Sequence, residues 1–344
     1  MKMKVARITN RGSPPSLMNG DIRNPTDNKI QVHVLAVGIS QQVRHRAAPE
    51  HPVTSSENIP FDPSTEGIVQ DQTTGDIYYV LPLGARLLSE RINIGKENLF
   101  KLSQNADPIR AAGLLGPWLT SLSLLHSCQQ RKVLIIGVTT CNGRVAAIIA
   151  RWFGASAIIG VSDDNDALMT VPGLTIRAHI TNPVRIPNLK GIDMVLDFIG
   201  GETGNQILTQ INNVPNGTLL SLLPAKELTY SPAWGPRAGE PFVLDATMVA
   251  AKNIKILDPS LALWRLTTPK MRGTLNFGFK LLERLEKAPY EVVAKPMAEI
   301  ENVWDELDFK SSKKMLVLLP SKVKEKGAQK ALSPGECMKS CSNE

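Results

Sequence analysis

The chain has little cysteine, few aromatic residues and no long apolar run, and each scarcity excludes something. Four cysteines in 344 residues, Cys128, Cys141, Cys337 and Cys341, are too few and too scattered for a disulfide scaffold or a zinc knuckle. Reduced thiols are expected. No apolar stretch reaches the roughly 18 residues of a membrane span, and Met1 to Asn10 reads as a short, charged, strand-like segment rather than a signal peptide. A cytoplasmic location without a membrane partner is the expectation. Lys and Arg outnumber Asp and Glu by 39 to 32, a formal charge of +7, yet the basic residues do not gather with interleaved aromatics, so no nucleic-acid surface is expected. Part of the excess lies after Pro320, at Lys322, Lys324, Lys326, Lys330 and Lys339, in a segment, 321–344, with too few large apolar residues to fold; a disordered basic tail is expected there.

What the chain does contain is 42% apolar and 21% charged residues, the texture of a globular protein with room for two domains. Its most telling stretch is Lys132 to Gly154, KVLIIGVTTCNGRVAAIIARWFG: a buried strand, a glycine turn and an amphipathic helix. This is how a dinucleotide-binding unit opens. In such a turn the first glycine makes the bend, the second lets a pyrophosphate approach the backbone, and the third lets helix pack on strand. Gly137 and Gly143 hold the outer two positions, while Thr140 puts a side chain in the middle one. Its hydroxyl can itself donate to a phosphate oxygen at the helix N-terminus, where free N–H groups and the helix dipole favour an anion. The same spacing also serves packing alone, so the motif speaks more firmly for the fold than for a cofactor.

From Lys132 the pattern alternates strand and helix, which forces a parallel sheet covered by helices. Strands are expected near 132–138, 157–161, 176–180, 192–198, 217–222 and 252–257, with turns at Gly200-Gly201 and Asn216-Gly217. Before residue 115, short β-like runs at Val5–Ile8, Ile30–Val37 and Ile77–Leu81 are broken by turn formers, as in a small irregular barrel. Near the end, Tyr290–Lys295 and Lys314–Leu319 read as strands flanking a helix at Ile300–Leu307.

With these elements in place, the chain resembles the medium-chain dehydrogenase/reductase superfamily, in its zinc-independent quinone oxidoreductase-like and enoyl reductase-like branch. The likeness lies in VHVLAVGIS at Val32–Ser40, TEG at Thr65–Gly67, ADPIRAAGLLGPWLTSLSLL at Ala106–Leu125, GIDMVLDFIGGETGNQIL at Gly191–Leu208, AAKNIKI at Ala250–Ile256 and MLVLLP at Met315–Pro320. It implies an α/β protein: a GroES-like β-barrel domain from 1–114 and 291–320, and a Rossmann doubly wound parallel sheet from 115–290, with the active cleft between. It also implies a homodimer paired through edge strands. Where zinc-dependent members keep a catalytic cysteine and a His-Glu pair, this chain has Gly38-Ile39-Ser40 and Thr65-Glu66. Ser40 and Thr65 cannot complete a tetrahedral site, so no metal is expected.

The resemblance places the site residues. Gly137, Val138, Thr139, Thr140, Gly143 and Arg144 would cradle the cofactor's phosphates; Phe198-Ile199-Gly200 and Leu222-Leu223 follow strands at the carboxyl edge of the sheet, where ligands bind. Around Ser162, Asp163 and Asp164 the adenosine end is read: Ser162 fits NADPH, Asp163 can accept the ribose hydroxyls of NADH, and the two carboxylates can instead be a helix N-cap pair. The substrate pocket is expected from Ser40, Gln42, Tyr79, Trp118 and Thr120. Catalytic candidates are His51 and His45 as proton donors and Arg44 as an anion holder, each weighed against a role as ordinary loop charge. Tyr79 and Trp118 are weighed against core packing.

Two functions follow. One is zinc-independent, NADPH-dependent reduction of an activated C=C or quinone, of the kind met in secondary metabolism. The other is a non-redox cyclisation or isomerisation of a hydrophobic substrate, motivated by Thr140 and the acidic pair, in which no dinucleotide is used. Either way the ligand is a small hydrophobic molecule.

Overall fold

In a computed structural model of the chain, residues 2–26, 28–49, 57–80, 86–125, 127–181, 186, 189–211, 228–232, 246–251, 253–256, 273, 275–280, 282, 285, 287–311 and 313–321 are described. The elements run β1 (Lys2–Arg7), β2 (Ser16–Asp21), β3 (Lys29–Ile39), α1 (Gln41–Arg46), β4 (Gly67–Asp71), β5 (Ile77–Val80), β6 (Arg91–Gly95), β7 (Leu99–Lys101) and α2 (Pro108–Leu125). There follow β8 (Lys132–Ile136), α3 (Cys141–Trp152), β9 (Ala157–Ser162), α4 (Asn165–Met169), β10 (Ile176–His179), β11 (Met194–Asp197), α5 (Gly201–Gln210), β12 (Leu228–Pro232), α6 (Ala246–Ala251) and β13 (Ile254–Ile256). The last are β14 (Val292–Pro296), α7 (Ile300–Val303), α8 (Leu307–Lys310) and β15 (Met315–Leu319).

The apolar strands β8 to β13 form one six-stranded sheet in the order β10-β9-β8-β11-β12-β13. Every pairing in it is parallel. This is the doubly wound order, with the reversal of direction between β8 and β11, and such sheets bind ligands outside their carboxyl ends at that switch point. The fifth strand differs from expectation. Leu228–Pro232 fills that place, beyond the expected run at 217–222, which lies outside the described residues. Thr229, Ser231 and Pro232 interrupt its apolar pattern, although Leu228 and Tyr230 are buried.

Around the chain ends a second, seven-stranded sheet runs β14-β15-β3-β4-β5-β7, with β6 also on β3. The late strand β15 lies antiparallel on β3, so the C-terminal segment completes the sheet begun by the N-terminal one. The architecture is α/β, a GroES-like barrel joined to a Rossmann sheet. The helix expected at Ile300–Leu307 is two shorter ones, α7 and α8. Of the expected tail, 321–344, Ser321 is described, its hydroxyl donating to the Glu90 carbonyl at 2.9 Å, and 322–344 lie outside the described residues.

One continuous core crosses the junction. Ala36, Ile68 and Tyr79 of the barrel, Leu115 and Trp118 of α2, and Val145 and Ile149 of α3 share a single buried cluster. Helix α2 is the shared wall. It carries Pro117 in its interior, which cannot donate to the carbonyl four residues earlier. That carbonyl, Gly113, accepts instead from the Tyr290 hydroxyl at 2.8 Å, so the gap in the helix is filled by the chain returning to the barrel.

Candidate functional site

The turn after β8 is built from the backbone outward. Gly137 has φ +74°, a conformation that costs glycine little. The N–H groups of Gly137 and Val138 both donate to the Val161 carbonyl, at 2.9 and 3.0 Å, which ties the turn to β9. Thr140 then caps α3: its hydroxyl accepts from the Gly143 N–H at 3.1 Å and donates to the Gly137 carbonyl at 2.8 Å. The hydroxyl expected to reach for a phosphate is thus turned inward. A Cβ on Gly143 would lie 2.3 Å from the Gly137 carbonyl oxygen and 2.6 Å from Val138 Cα, so this position admits only glycine. Arg144 does not face the opening either. Its guanidinium is held by the Thr139 carbonyl, at 3.2 Å, and by the Ala167 carbonyl and Thr170 hydroxyl, and burial lowers its pKa.

At the end of β9, Ser162 is fully buried. Its hydroxyl sits 2.7 Å from that of Thr139 and accepts from the Asp164 N–H at 3.1 Å. Of the acidic pair, Asp164 is the N-cap, accepting from the Ala167 N–H at 3.0 Å, and this bond together with Lys313 holds its carboxyl below the usual range. Asp163 is not a cap; it is exposed. At the end of β11, Asp197 is buried and gathers the N–H groups of Ile199 and Gly200, at 3.0 and 2.8 Å, and the Tyr230 hydroxyl, at 2.9 Å. Burial raises the pKa of both partners. This knot fixes the turn that presents Ile199.

These turns enclose a cavity of about 560 Å³ lined by Gly137, Thr139, Thr140, Asp163, Asp164, Asn165, Asp166, His179, Ile199, Ser311 and Lys313. It opens at the carboxyl edge of the parallel sheet, beside the first turn of α3, whose leading N–H groups have no partner within the helix.

No family model matches the chain. By sequence it is 29% identical over 339 residues to the protein named "Probable NADPH-dependent quinone reductase tdiC" of Emericella nidulans, over 85% of this chain and 93% of that one. By structure it is similar to the quinone oxidoreductase of Escherichia coli complexed with NADPH, with a TM-score of 0.72 and 17% identity, covering 92% of this chain and 100% of that one. It is also similar to the CurK enoyl reductase, with a TM-score of 0.69 and 17% identity, covering 92% and 99%. The chain shares the fold of these two reductases.

In this fold the remaining expected residues are scattered. Val138 and Phe198 are buried behind the turn, and Gly200 has φ +70° as it leads into α5. Ser40 is the N-cap of α1, its hydroxyl meeting the Val43 N–H at 3.5 Å, and Gln42 on that helix is exposed. Arg44, expected to hold an anion, donates to the Trp304 carbonyl and stacks 4.9 Å from the Trp304 ring. Burial lowers its pKa to about 10. His45 is half-buried on α1, away from the cavity lining. Trp118 packs on Trp152 at 5.7 Å, and the Thr120 hydroxyl bonds back to Gly116 at 3.0 Å, so both serve the α2 wall. His51, Leu222 and Leu223 lie outside the described residues.

Sequence reasoning missed two features. Lys313 and His179 line the cavity; His179 was legible as the parallel partner of Ser162 across β10 and β9, whereas Lys313 arrives from the far end of the chain. The second is Glu66, a buried carboxyl that accepts from the Tyr79 hydroxyl, with Gly116 of α2 directly against it. Burial raises its pKa to about 6. Among the described residues no three His, Cys, Asp or Glu side chains gather as a metal cluster, and no helix is long and apolar enough to cross a membrane.

Proposed function

We propose that this chain is a zinc-independent, NADPH-dependent oxidoreductase that reduces an activated C=C or a quinone. The observation that carries the proposal is the cavity at the carboxyl edge of the doubly wound sheet, closed by the Gly137 turn, the end of β9 and Ile199. The parts suit a dinucleotide. Gly137 removes side-chain bulk from the turn, the first turn of the twelve-residue α3 offers N–H groups and dipole to a pyrophosphate, and Asp163 and Lys313 stand where the adenosine ribose and its phosphate would lie. The inward-turned Thr140 hydroxyl leaves this approach open, so Thr140 itself no longer favours the non-redox alternative. The names of the Emericella nidulans relative and the Escherichia coli structure support NADPH.

When bound, the cofactor would supply a hydride from its nicotinamide ring. The chain's own part is to position it: Asp197 and Tyr230 hold the Ile199 turn, and Ser311 and Lys313, just before β15, stand on the other side. Burial, with the Glu66 carboxyl beside it, keeps the Tyr79 hydroxyl protonated and donating to that carboxyl. On this reading 1–114 and 291–320 form the substrate body and 115–290 the dinucleotide body. The ligand is a small hydrophobic acceptor, the enzyme acts in the cytoplasm, and a homodimer would pair through β13, the sheet edge on which Ile256 is half exposed.

The test is titration of the protein with NADPH and NADH followed by nicotinamide fluorescence, then cofactor consumption with enones and quinones. Micromolar binding and substrate-dependent oxidation are expected. No binding of either cofactor at millimolar concentration overturns the proposal.

A further inference from the structure

The adenosine end of the cavity is dominated by one sign of charge. Asp163, Asp164 and Asp166 line it, against Lys313 and His179. A phosphate entering among three carboxylates is repelled unless a cation meets it. The groups that sequence alone would nominate are spoken for: the Ser162 hydroxyl is buried between Thr139 and the Asp164 N–H, and the Arg144 guanidinium is tied to Thr139, Ala167 and Thr170. Among the described lining residues Lys313 is the one lysine or arginine.

Lys313 comes from the segment entering the other sheet. It lies just before β15, and its Nζ sits 3.1 Å from Asp164 Oδ2, with 56% of its side chain exposed. Nothing about Asp164 requires that partner, because its cap to Ala167 is made by Oδ1. An exposed lysine on a flexible stem can change partners at little cost. Beside it, the Asp163 carboxylate stands exposed at the end of β9, where an acid suits the ribose hydroxyls of a cofactor that lacks the 2′-phosphate.

Resting on the dinucleotide reading above, we infer that Lys313 decides between NADPH and NADH, leaving Asp164 for the 2′-phosphate when NADPH enters. Without it, the surrounding carboxylates favour NADH. The choice of cofactor is thus made by a residue of the loop that leads into β15 of the barrel, reaching over a site built on the parallel sheet.

The experiment is calorimetric titration of NADPH and NADH into the full chain and its Lys313→Ala, Lys313→Arg and Asp164→Asn variants, with an unfolding midpoint for each. Lys313→Ala is expected to weaken NADPH by about tenfold or more, the value of one charge-assisted bond, while NADH binding stays unchanged. Lys313→Arg keeps the NADPH preference. Asp164→Asn retains the cap, frees the lysine and tightens NADPH. If Lys313→Ala alters both affinities equally, or neither, the inference fails and the dinucleotide reading stands. If the wild type binds neither cofactor, both fail together.

Discussion

Glu66 offers a prediction whose size follows from its surroundings. The carboxyl is buried against α2, where Gly116 leaves just enough room for it. Its hydrogen-bond donor is the Tyr79 hydroxyl, and Tyr290 is close enough to feel its charge. Burial raises its pKa from 4.5 to about 6, so the folded chain holds this proton more tightly than the unfolded one. Stability from this group is therefore fully present below about pH 4.5 and is lost as pH rises through about 6. The loss amounts to about 2 kcal/mol once the carboxylate is ionised in both states. Glu66→Gln keeps an oxygen for Tyr79 and removes the charge. Denaturant unfolding of wild type and variant at pH 4.5 and pH 7.5 (chosen to bracket that value) is expected to show the variant gaining about 2 kcal/mol on the wild type between the two. An equal difference at both pH values would refute the burial argument.

Three further substitutions probe the cofactor turn. Gly143→Ala drives a Cβ into the backbone of Gly137 and Val138; a loss of about 3 kcal/mol in unfolding free energy is expected, together with loss of dinucleotide binding by titration. Thr140→Ala removes the cap of α3 and is expected to cost about 1 kcal/mol in the same measurement, whereas Thr140→Ser keeps both hydroxyl bonds and is expected to match the wild type.

The fold was readable in the sequence because its signals are local. The apolar runs at β8, β9 and β11 are nearly unbroken, and Gly137 and Gly143 mark a turn whose constraints are backbone constraints. Leu228–Pro232 was missed because hydroxyls and a proline hide a strand that only its neighbours β11 and β13 make buried. The site was less legible, since its decisive contacts are long-range. Whether the Thr140 hydroxyl faces out or in depends on the Gly137 carbonyl, and which of Asp163 and Asp164 caps α4 is decided by which carboxylate meets the Ala167 N–H. Lys313 reaches Asp164 from 149 residues further along the chain. Arg44 and Trp118 looked chemical in sequence, and where they sit is decided by rings distant in the chain, Trp304 for Arg44 and Trp152 for Trp118.

The proposed function requires a dinucleotide seated against the first turn of α3. Hydrogen exchange of the backbone amides, with and without saturating NADPH, tests that seat directly. Protection confined to Gly137–Arg144, Ser162–Asp166 and the Ile199 turn is the predicted result; unchanged exchange in all three segments, or protection only elsewhere, would contradict it.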